Sequence, residues 1–595
     1  METPKNTVFG GLSRLLAGLV AVALVLSGCS NAQDRLSAAV DGFAEALSRG
    51  DASAAGALTT DPTQASATLA ELFASLGTDV QVEATAVERG EDGATLTLDT
   101  TWKFRDGATQ WSYTTTGTAV ESGDEWKIHW NPATVAPGLD AGPLSYSTLA
   151  PSPAARVLDR TGAELLTQHI VTLVNVSPGA DLGALGALLN PLAPGITAES
   201  LQQDLTAAGG QPITAITLRQ QDFEPIEAQL SILSNVTLAP QTRLLAVDKT
   251  LTSPALAGLA DLWQQRTDAA SGWAVNAATS AGPRRVGGQD PDPVGDISST
   301  LDINMLRAGE QALAGLPTPA AIVAIQPSTG DLLAVAQNAP ADAQGPIALT
   351  GLYPPGSTFK TVTVSAALQA GQVTPDSVVA CPGTENIEGR QIPNDDNFDL
   401  GQVPLHTAFA RSCNTTMGRL AVNLPPDALT RAAEQLGLGI DFTGPGMTTV
   451  TGSVPVADTA ALRVEEGIGQ GKVTASPFGM ALVAASIARG SVPAPAIVEG
   501  RPATPDRTPE PVSPSVVEQV KAMMRETVTD GTASALRDIP GLLGKTGTAE
   551  YIDDTHAHGW FVGIRGDLAF AVFVSDAGSS GPAVTAAGNL LRALG

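Results

Sequence analysis

Apolar residues recur at helical spacing over residues 34–48, where Leu36, Val40, Phe43, Ala44 and Leu47 share one side, and this predicts an amphipathic helix. A second helix is expected over 64–76. The period then shortens to two over 80–89, 94–104, 110–120 and 126–130, the alternation of half-buried strands, so the front of the chain reads as helices followed by a curved antiparallel sheet. The far end has a different rhythm. A helix over 304–314 leads into short apolar runs at 321–326 and 332–337, joined by the turn Pro327-Ser328-Thr329-Gly330-Asp331. After a long, mostly helical stretch come three further runs at 542–552, 559–564 and 568–574, then a helix over 583–594. Two strands, a helical insertion, three strands and a closing helix predict a five-stranded sheet with helices packed against it, and a multidomain α+β protein as a whole.

Composition adds boundaries. At 595 residues the chain is too long for one core, and three domains are the natural division. Residues 137–152 are rich in Pro, Gly and Ser and read as a connection; a second break runs from Gly282 to Pro293. The Ala-, Leu- and Pro-rich middle between them holds no catalytic cluster. A net charge of −27 argues against nucleic acid and against an anionic membrane surface as electrostatic partners. At the N-terminus, Lys5 and Arg14 precede an apolar run, 15–26, that is too short for a confident span and suits a cleaved leader.

The candidate chemistry lies in three short motifs: Ser357-Thr358-Phe359-Lys360, Ser412-Cys413-Asn414 and Lys545-Thr546-Gly547-Thr548. Two of the chain's eight lysines fall in them, which makes chance a poor account of the set. A serine hydroxyl needs a base within hydrogen-bond reach. Tyr353-Pro354-Pro355-Gly356 reads as a stiff turn leading into a helix over 357–370, on which Ser357 and Lys360 project from one face. The positive helix N-terminus favours an oxyanion beside Ser357. Lysine serves as a base only when burial and a second cation lower its pKa, and Lys545 is a candidate for that cation. Ser412 and Asn414 follow a helical stretch, 405–411, and offer a hydroxyl and an amide. Gly547 sits in an expected strand, where it would let a substrate backbone come close. Five His and no G-x-S-x-G elbow leave a Ser-His-Asp hydrolase without its parts. His556-Ala557-His558 has too few companions for a metal site, and no metal or other cofactor is expected.

S-x-x-K, S-x-N and K-T-G in this order resemble the penicillin-binding transpeptidases. The resemblance implies Ser357 as nucleophile and Lys360 as its base, with Ser412, Asn414 and Lys545 also in the catalytic set. It implies that Lys545 and Thr546 hold the substrate carboxylate and that the backbone N–H groups of Ser357 and Thr548 form the oxyanion hole. The middle residue of S-x-N, commonly Asp, is Cys413 here. Gly467-Ile468-Gly469-Gln470-Gly471 and Trp560-Phe561-Val562-Gly563 are similar to further family segments. At the front, the helix-then-sheet order and Trp126-Lys127-Ile128-His129-Trp130-Asn131-Pro132 resemble the nuclear-transport-factor-2-like (NTF2-like) domain of methicillin-resistance penicillin-binding proteins, here expected to be a spacer. Val157-Leu158-Asp159-Arg160-Thr161-Gly162 resembles the opening of a class B dimerisation, or pedestal, domain. Leu26-Ser27-Gly28-Cys29 looks like a bacterial lipobox, implying lipidated Cys29 as the mature N-terminus, an uncleaved signal anchor being the alternative. Both place the bulk of the chain outside the cytoplasmic membrane, where Cys381 and Cys413 either bridge or stay as buried thiols. The expected layout is therefore 1–28 leader, 33–145 NTF2-like domain, 150–297 pedestal and 298–595 transpeptidase domain with its five-stranded antiparallel sheet.

The implied function is cross-linking of peptidoglycan stem peptides through an acyl-enzyme on D-Ala-D-Ala, with acylation by β-lactams. With no glycosyltransferase domain evident, a separate glycosyltransferase is an expected partner. Two alternatives share the motifs. A β-lactamase-like hydrolase would need a deacylating group, and no E-x-x-L-N loop follows the second motif. A catalytically weak penicillin-binding scaffold or sensor is opposed by intact Ser357, Lys360 and Lys545.

Overall fold

The computed structural model describes residues 27–91, 93–105, 107–551 and 556–595, with the backbone alone over 27–32. The expected leader up to residue 26, the side chain of Cys29 and the end of the expected strand at Ile552 lie outside the described residues. No described helix is long and apolar enough to cross a membrane. The chain divides into two compact units, one of residues 1–152 with 270–293, the other of 153–269 with 294–595.

In the first unit, helices Ser27–Ser48, Ala52–Ala57 and Pro62–Leu76 precede a four-stranded antiparallel sheet of Val80–Arg89, Ala94–Phe104, Thr109–Ser122 and Glu125–Ile128, paired in chain order. Asp51 and Asp61 cap the second and third helices through their carboxylates. Leu36, Val40, Phe43 and Leu47 meet Leu96, Leu98 and Trp102 in one core, as the alternating pattern predicts.

The segment over 282–293 ends where one compact unit gives way to the other, as expected of a break, but its first part is regular structure. Gly282–Gln289 is a strand; it pairs with Gly272–Thr279, which in turn pairs with Leu144–Leu149. Its glycine content has a packing cause, since a Cβ on Gly287 would lie 2.3 Å from the Trp111 indole nitrogen. An aromatic ring supplies the cover that the strand's own side chains lack. Polar groups also converge in this unit: Gln81, Glu83, Asp99, Thr101, Ser112 and Thr114 line a hollow of 410 Å³.

In the second unit, strands Glu164–Val176, Ile213–Arg219 and Val236–Ala246 build a sheet joined by the short strands Val157–Leu158 and Ile297–Ser298. The expected boundary at 298 cuts a shared core: Val157, Leu165, Trp263 and Ile297 belong to the same buried cluster as Ile322 and Phe570. The Trp263 indole also donates to Ala155 O across 2.7 Å.

The rest of this unit is the layered fold expected from the strand order. Helix α1 (Ile303–Leu313) precedes strands β1 (Ala320–Ile325) and β2 (Leu332–Gln337). Helices α2 (Lys360–Gln369), α3 (Leu405–Ala410), α4 (Asn414–Val422), α5 (Pro477–Arg489) and α6 (Pro514–Thr529) follow. Strands β3 (Leu543–Glu550), β4 (Ala557–Arg565) and β5 (Leu568–Val574) and helix α7 (Gly581–Ala593) close it. The sheet runs β2-β1-β5-β4-β3, all antiparallel. All six residues of β1 are buried, the run of small and branched apolar residues that a strand covered on both faces requires. Helix α5 is buried from Pro477 to Ile487; Ser476 caps its first turn by accepting from Gly479 N, and Gly490 ends it at φ 86°. Strands β2 and β3 are the sheet's two edges.

Candidate active site

The three motifs come from three different elements and meet around one hydroxyl. Ser357 lies in a turn of 3₁₀ helix, Gly356–Phe359, that leads into α2; the expected single helix over 357–370 is thus a 3₁₀ turn followed by an α-helix. With three residues per turn, positions 357 and 360 eclipse, which still puts serine and lysine on one side. The turn is fixed from behind. Tyr353 exchanges two backbone hydrogen bonds with Ala475 and stacks on Phe573 at 4.2 Å. Trp560 Nε1 donates to Pro354 O at 3.0 Å, and Gly356 N donates to Gly469 O. Gly356 has φ 51°, and a Cβ there would lie 2.4 Å from Thr548 O, so only glycine lets the turn sit against β3.

Gly547 serves the same contact from the other side. A Cβ on it would meet Pro355 O and Thr358 Cγ2, both at 2.9 Å. Its missing side chain therefore makes room for the serine turn.

Lys360 is fully buried on an α-helix whose residues from Lys360 to Leu368 are all buried. Its amine donates to Ser412 O at 2.7 Å, Ser412 Oγ at 3.1 Å and Asn414 Oδ1 at 2.6 Å. These bonds go to the second motif, and Ser357 Oγ is not among its acceptors. Burial, then the nearby Lys545 charge, hold the Lys360 pKa well below the usual lysine value, with Asp395 opposing. Lys545, also fully buried, donates to Ser412 Oγ at 2.9 Å and to Thr546 O at 3.0 Å; burial lowers its pKa to about 7. Its ammonium lies 5.6 Å from the centre of the Phe409 ring. Two lysines whose pKa values are both lowered thus share one serine hydroxyl, an arrangement able to carry a proton between them.

Ser412 reaches that place through an unusual backbone. It has φ 63°, at the position just past α3 where helices commonly end on glycine. Ser412 N donates to Phe409 O and Cys413 N to Ala408 O, the paired bonds of a Schellman turn. A left-handed non-glycine residue costs about 1–3 kcal/mol and persists where surrounding contacts dictate it. Here the turn aims Ser412 O and Oγ at Lys360 while α4 starts at Asn414. The structure joins Cys413 to Cys381 in a disulfide with Cα atoms 6.1 Å apart, anchoring the residue between Ser412 and Asn414.

On β3, Thr546 Oγ1 lies 2.6 Å from Thr532 Oγ1, and Thr548 sits opposite Gly559. Gln470 closes the end of the strand: its amide nitrogen donates to Glu550 O at 3.1 Å and its oxygen accepts from Glu550 N at 3.2 Å. Sequence reasoning missed Thr532 and Asn394, which holds the backbone of α4; neither belongs to a motif. His558 is buried and stacked on Tyr551 at 4.1 Å. Its Nδ1 accepts from Asp576 N, and burial lowers its pKa to about 4.

Residues 320–593 match the family described as penicillin binding protein transpeptidase domain, and residues 36–143 the NTF2-like N-terminal transpeptidase domain. The peptidoglycan D,D-transpeptidase PbpA of Mycolicibacterium smegmatis is 31% identical over 348 residues, which cover 49% of this chain and 69% of the relative. The chain belongs to the peptidoglycan D,D-transpeptidase family of penicillin-binding proteins. The PbpA of Mycobacterium tuberculosis H37Rv is 30% identical over 325 residues, 46% of this chain and 65% of that protein, so the match stops just short of two thirds of that relative's length. A solved structure of penicillin-binding protein A from M. tuberculosis, in a ceftriaxone acyl-enzyme complex, aligns with a TM-score of 0.45 at 26% identity, over 51% of this chain and 81% of that one. The transpeptidase fold and the NTF2-like front domain named by these families are the two architectures described above.

Proposed function

We propose that this protein is a serine D,D-transpeptidase that cross-links peptidoglycan stem peptides and is acylated by β-lactams. The observation that carries the reading is the meeting of Lys360, Ser412 and Lys545 at one hydroxyl, with Ser357 in the 3₁₀ turn that leads into Lys360. Ser357 Oγ attacks the carbonyl between the two D-Ala residues and its proton passes to neutral Lys360. The backbone N–H groups of Ser357 and Thr548 hold the oxyanion. As the C–N bond breaks, a proton reaches the departing D-Ala amine through Ser412. An amine from a neighbouring stem peptide then attacks the ester, surrenders a proton by the same route and frees Ser357. Lys545 and Thr546 pair with the terminal carboxylate, and Asn414 orients the substrate amide. On the same reading, Cys29 carries lipid and holds the protein on the outer face of the cytoplasmic membrane, with a separate glycosyltransferase supplying glycan strands. Residues 33–145 act as a spacer and the segment from 150 as a pedestal.

Intact-mass analysis after treatment with benzylpenicillin tests the reaction. One adduct per chain, mapping to the peptide that contains Ser357 and absent from Ser357→Ala, is expected. An adduct on any other peptide would overturn the assignment, and turnover of a D-Ala-D-Ala thioester separates an enzyme from a mere binder.

A further inference from the structure

Helix α4 carries Asn414 in its first turn, yet its N-cap residue, Cys413, is in the disulfide and makes no side-chain capping hydrogen bond. The first amides of a helix have no partner within it and must find one elsewhere. They find it 20 residues upstream: Asn394 Oδ1 accepts from Asn414 N at 2.8 Å and from Thr415 N at 3.2 Å. Asn394 is itself 2% exposed, and its amide nitrogen donates to Pro382 O at 2.8 Å and Phe398 O at 2.9 Å. The residue before it takes the other end of Asn414, whose Nδ2 donates to Pro393 O at 2.8 Å. Asn414 is thereby held by backbone and side chain from one two-residue segment, and its remaining oxygen faces the Lys360 amine at 2.6 Å.

We infer that Asn394 is a positioning residue for the acylation step: it caps α4 from outside the helix and so fixes Asn414, and through it the Lys360 amine. The inference rests on the proposed serine acylation. A cap supplied by the helix's own preceding side chain would follow that residue's rotamer. This one is tied to the Pro382 and Phe398 carbonyls, so the helix start is registered to the loop beside the disulfide. Misplacement of a proton-transfer group by roughly 1 Å costs on the order of 100-fold in rate.

The test uses Asn394→Leu and Asn394→Asp in the full chain, with wild-type protein as the control. Benzylpenicillin acylation is followed by stopped-flow, the final adduct count by intact mass, and amide exchange across residues 412–422 by mass spectrometry. For N394L the inference requires one adduct per chain, an acylation rate constant reduced about 100-fold with the noncovalent affinity little changed, and faster exchange in 412–422. Aspartate keeps an oxygen for the two amides and loses the donor, so N394D should recover part of the rate and part of the protection; it also serves if N394L does not fold. A wild-type rate in either variant, or a loss of adduct stoichiometry with an unchanged rate in the labelled fraction, overturns the inference. The second outcome would mean that Asn394 matters only for folding. A wild-type adduct away from Ser357 would sink the proposed chemistry instead, so the two failures are distinct.

Discussion

Lys545→Met should make the protein more stable and less reactive, and the stability gain should fade as pH rises. The ammonium of Lys545 is fully buried, and burial takes its pKa from 10.5 to about 7. A shift of that size corresponds to about 5 kcal/mol of cost for keeping the residue charged in the folded state. Between pH 7 and 10.5 the unfolded chain holds a proton on this amine that the folded chain has lost, so wild-type stability rises with pH across that window. The slope approaches about 1.4 kcal/mol per pH unit. Methionine fills similar space without a charge to desolvate, and Ser412 Oγ still receives a hydrogen bond from Lys360. The variant should therefore gain a few kcal/mol below pH 7 and lose about 3 kcal/mol of that advantage by pH 9.5. Removing the Lys545 charge also lets the Lys360 pKa rise, which flattens the variant's own pH profile further. Urea unfolding read through amide exchange in β1 and β5 reports on this unit alone. A stability difference independent of pH would refute the buried-ammonium account, and unchanged acylation by a carboxylate-bearing penicillin would refute its role in recognition.

Other consequences can be checked separately. Binding a carboxylate ligand at pH 8 should draw close to one proton onto Lys545, seen as a dependence of calorimetric heat on buffer ionisation enthalpy; zero uptake contradicts a pKa near 7. Ser412→Gly should relieve left-handed backbone strain of about 1–3 kcal/mol while cutting acylation severely, so a variant both destabilised and active would contradict the site geometry. Replacing Cys381 and Cys413 by serine opens a bridge with a sequence separation of 32 residues, worth about 3–4 kcal/mol in the chain-entropy treatment, and should slow acylation through Ser412 and Asn414; denaturation and stopped-flow labelling read the two effects. Cys29→Ser should abolish lipid labelling and membrane retention, and unchanged retention removes the lipid anchor from the reading.

How much was legible in the chain followed from what each residue answers to. The sheet strands answer to burial, and burial leaves a period in the sequence: β5 was placed at its observed ends because seven apolar residues in a row admit few other readings. The motifs were legible for a different reason, since a serine and a lysine three apart carry their geometry with them in either a 3₁₀ or an α turn. What escaped was determined by partners distant in sequence. The strand Gly282–Gln289 has almost no apolar pattern because Trp111, from another strand, covers it. A glycine in a strand signals close approach, but only the fold reveals that Pro355 and Thr358 are among the groups that approach Gly547. Asn394 and Thr532 lie in no motif; their roles exist only once Asn414 and Thr546 have been brought beside them. Ser412 did leave a trace. Two helices abut with no glycine between them, and the turn that joins them needs a left-handed residue, so the strained position had to fall on a side chain. Strain of that kind is retained where the side chain contributes more than the backbone loses, and here that side chain is the hydroxyl both lysines share.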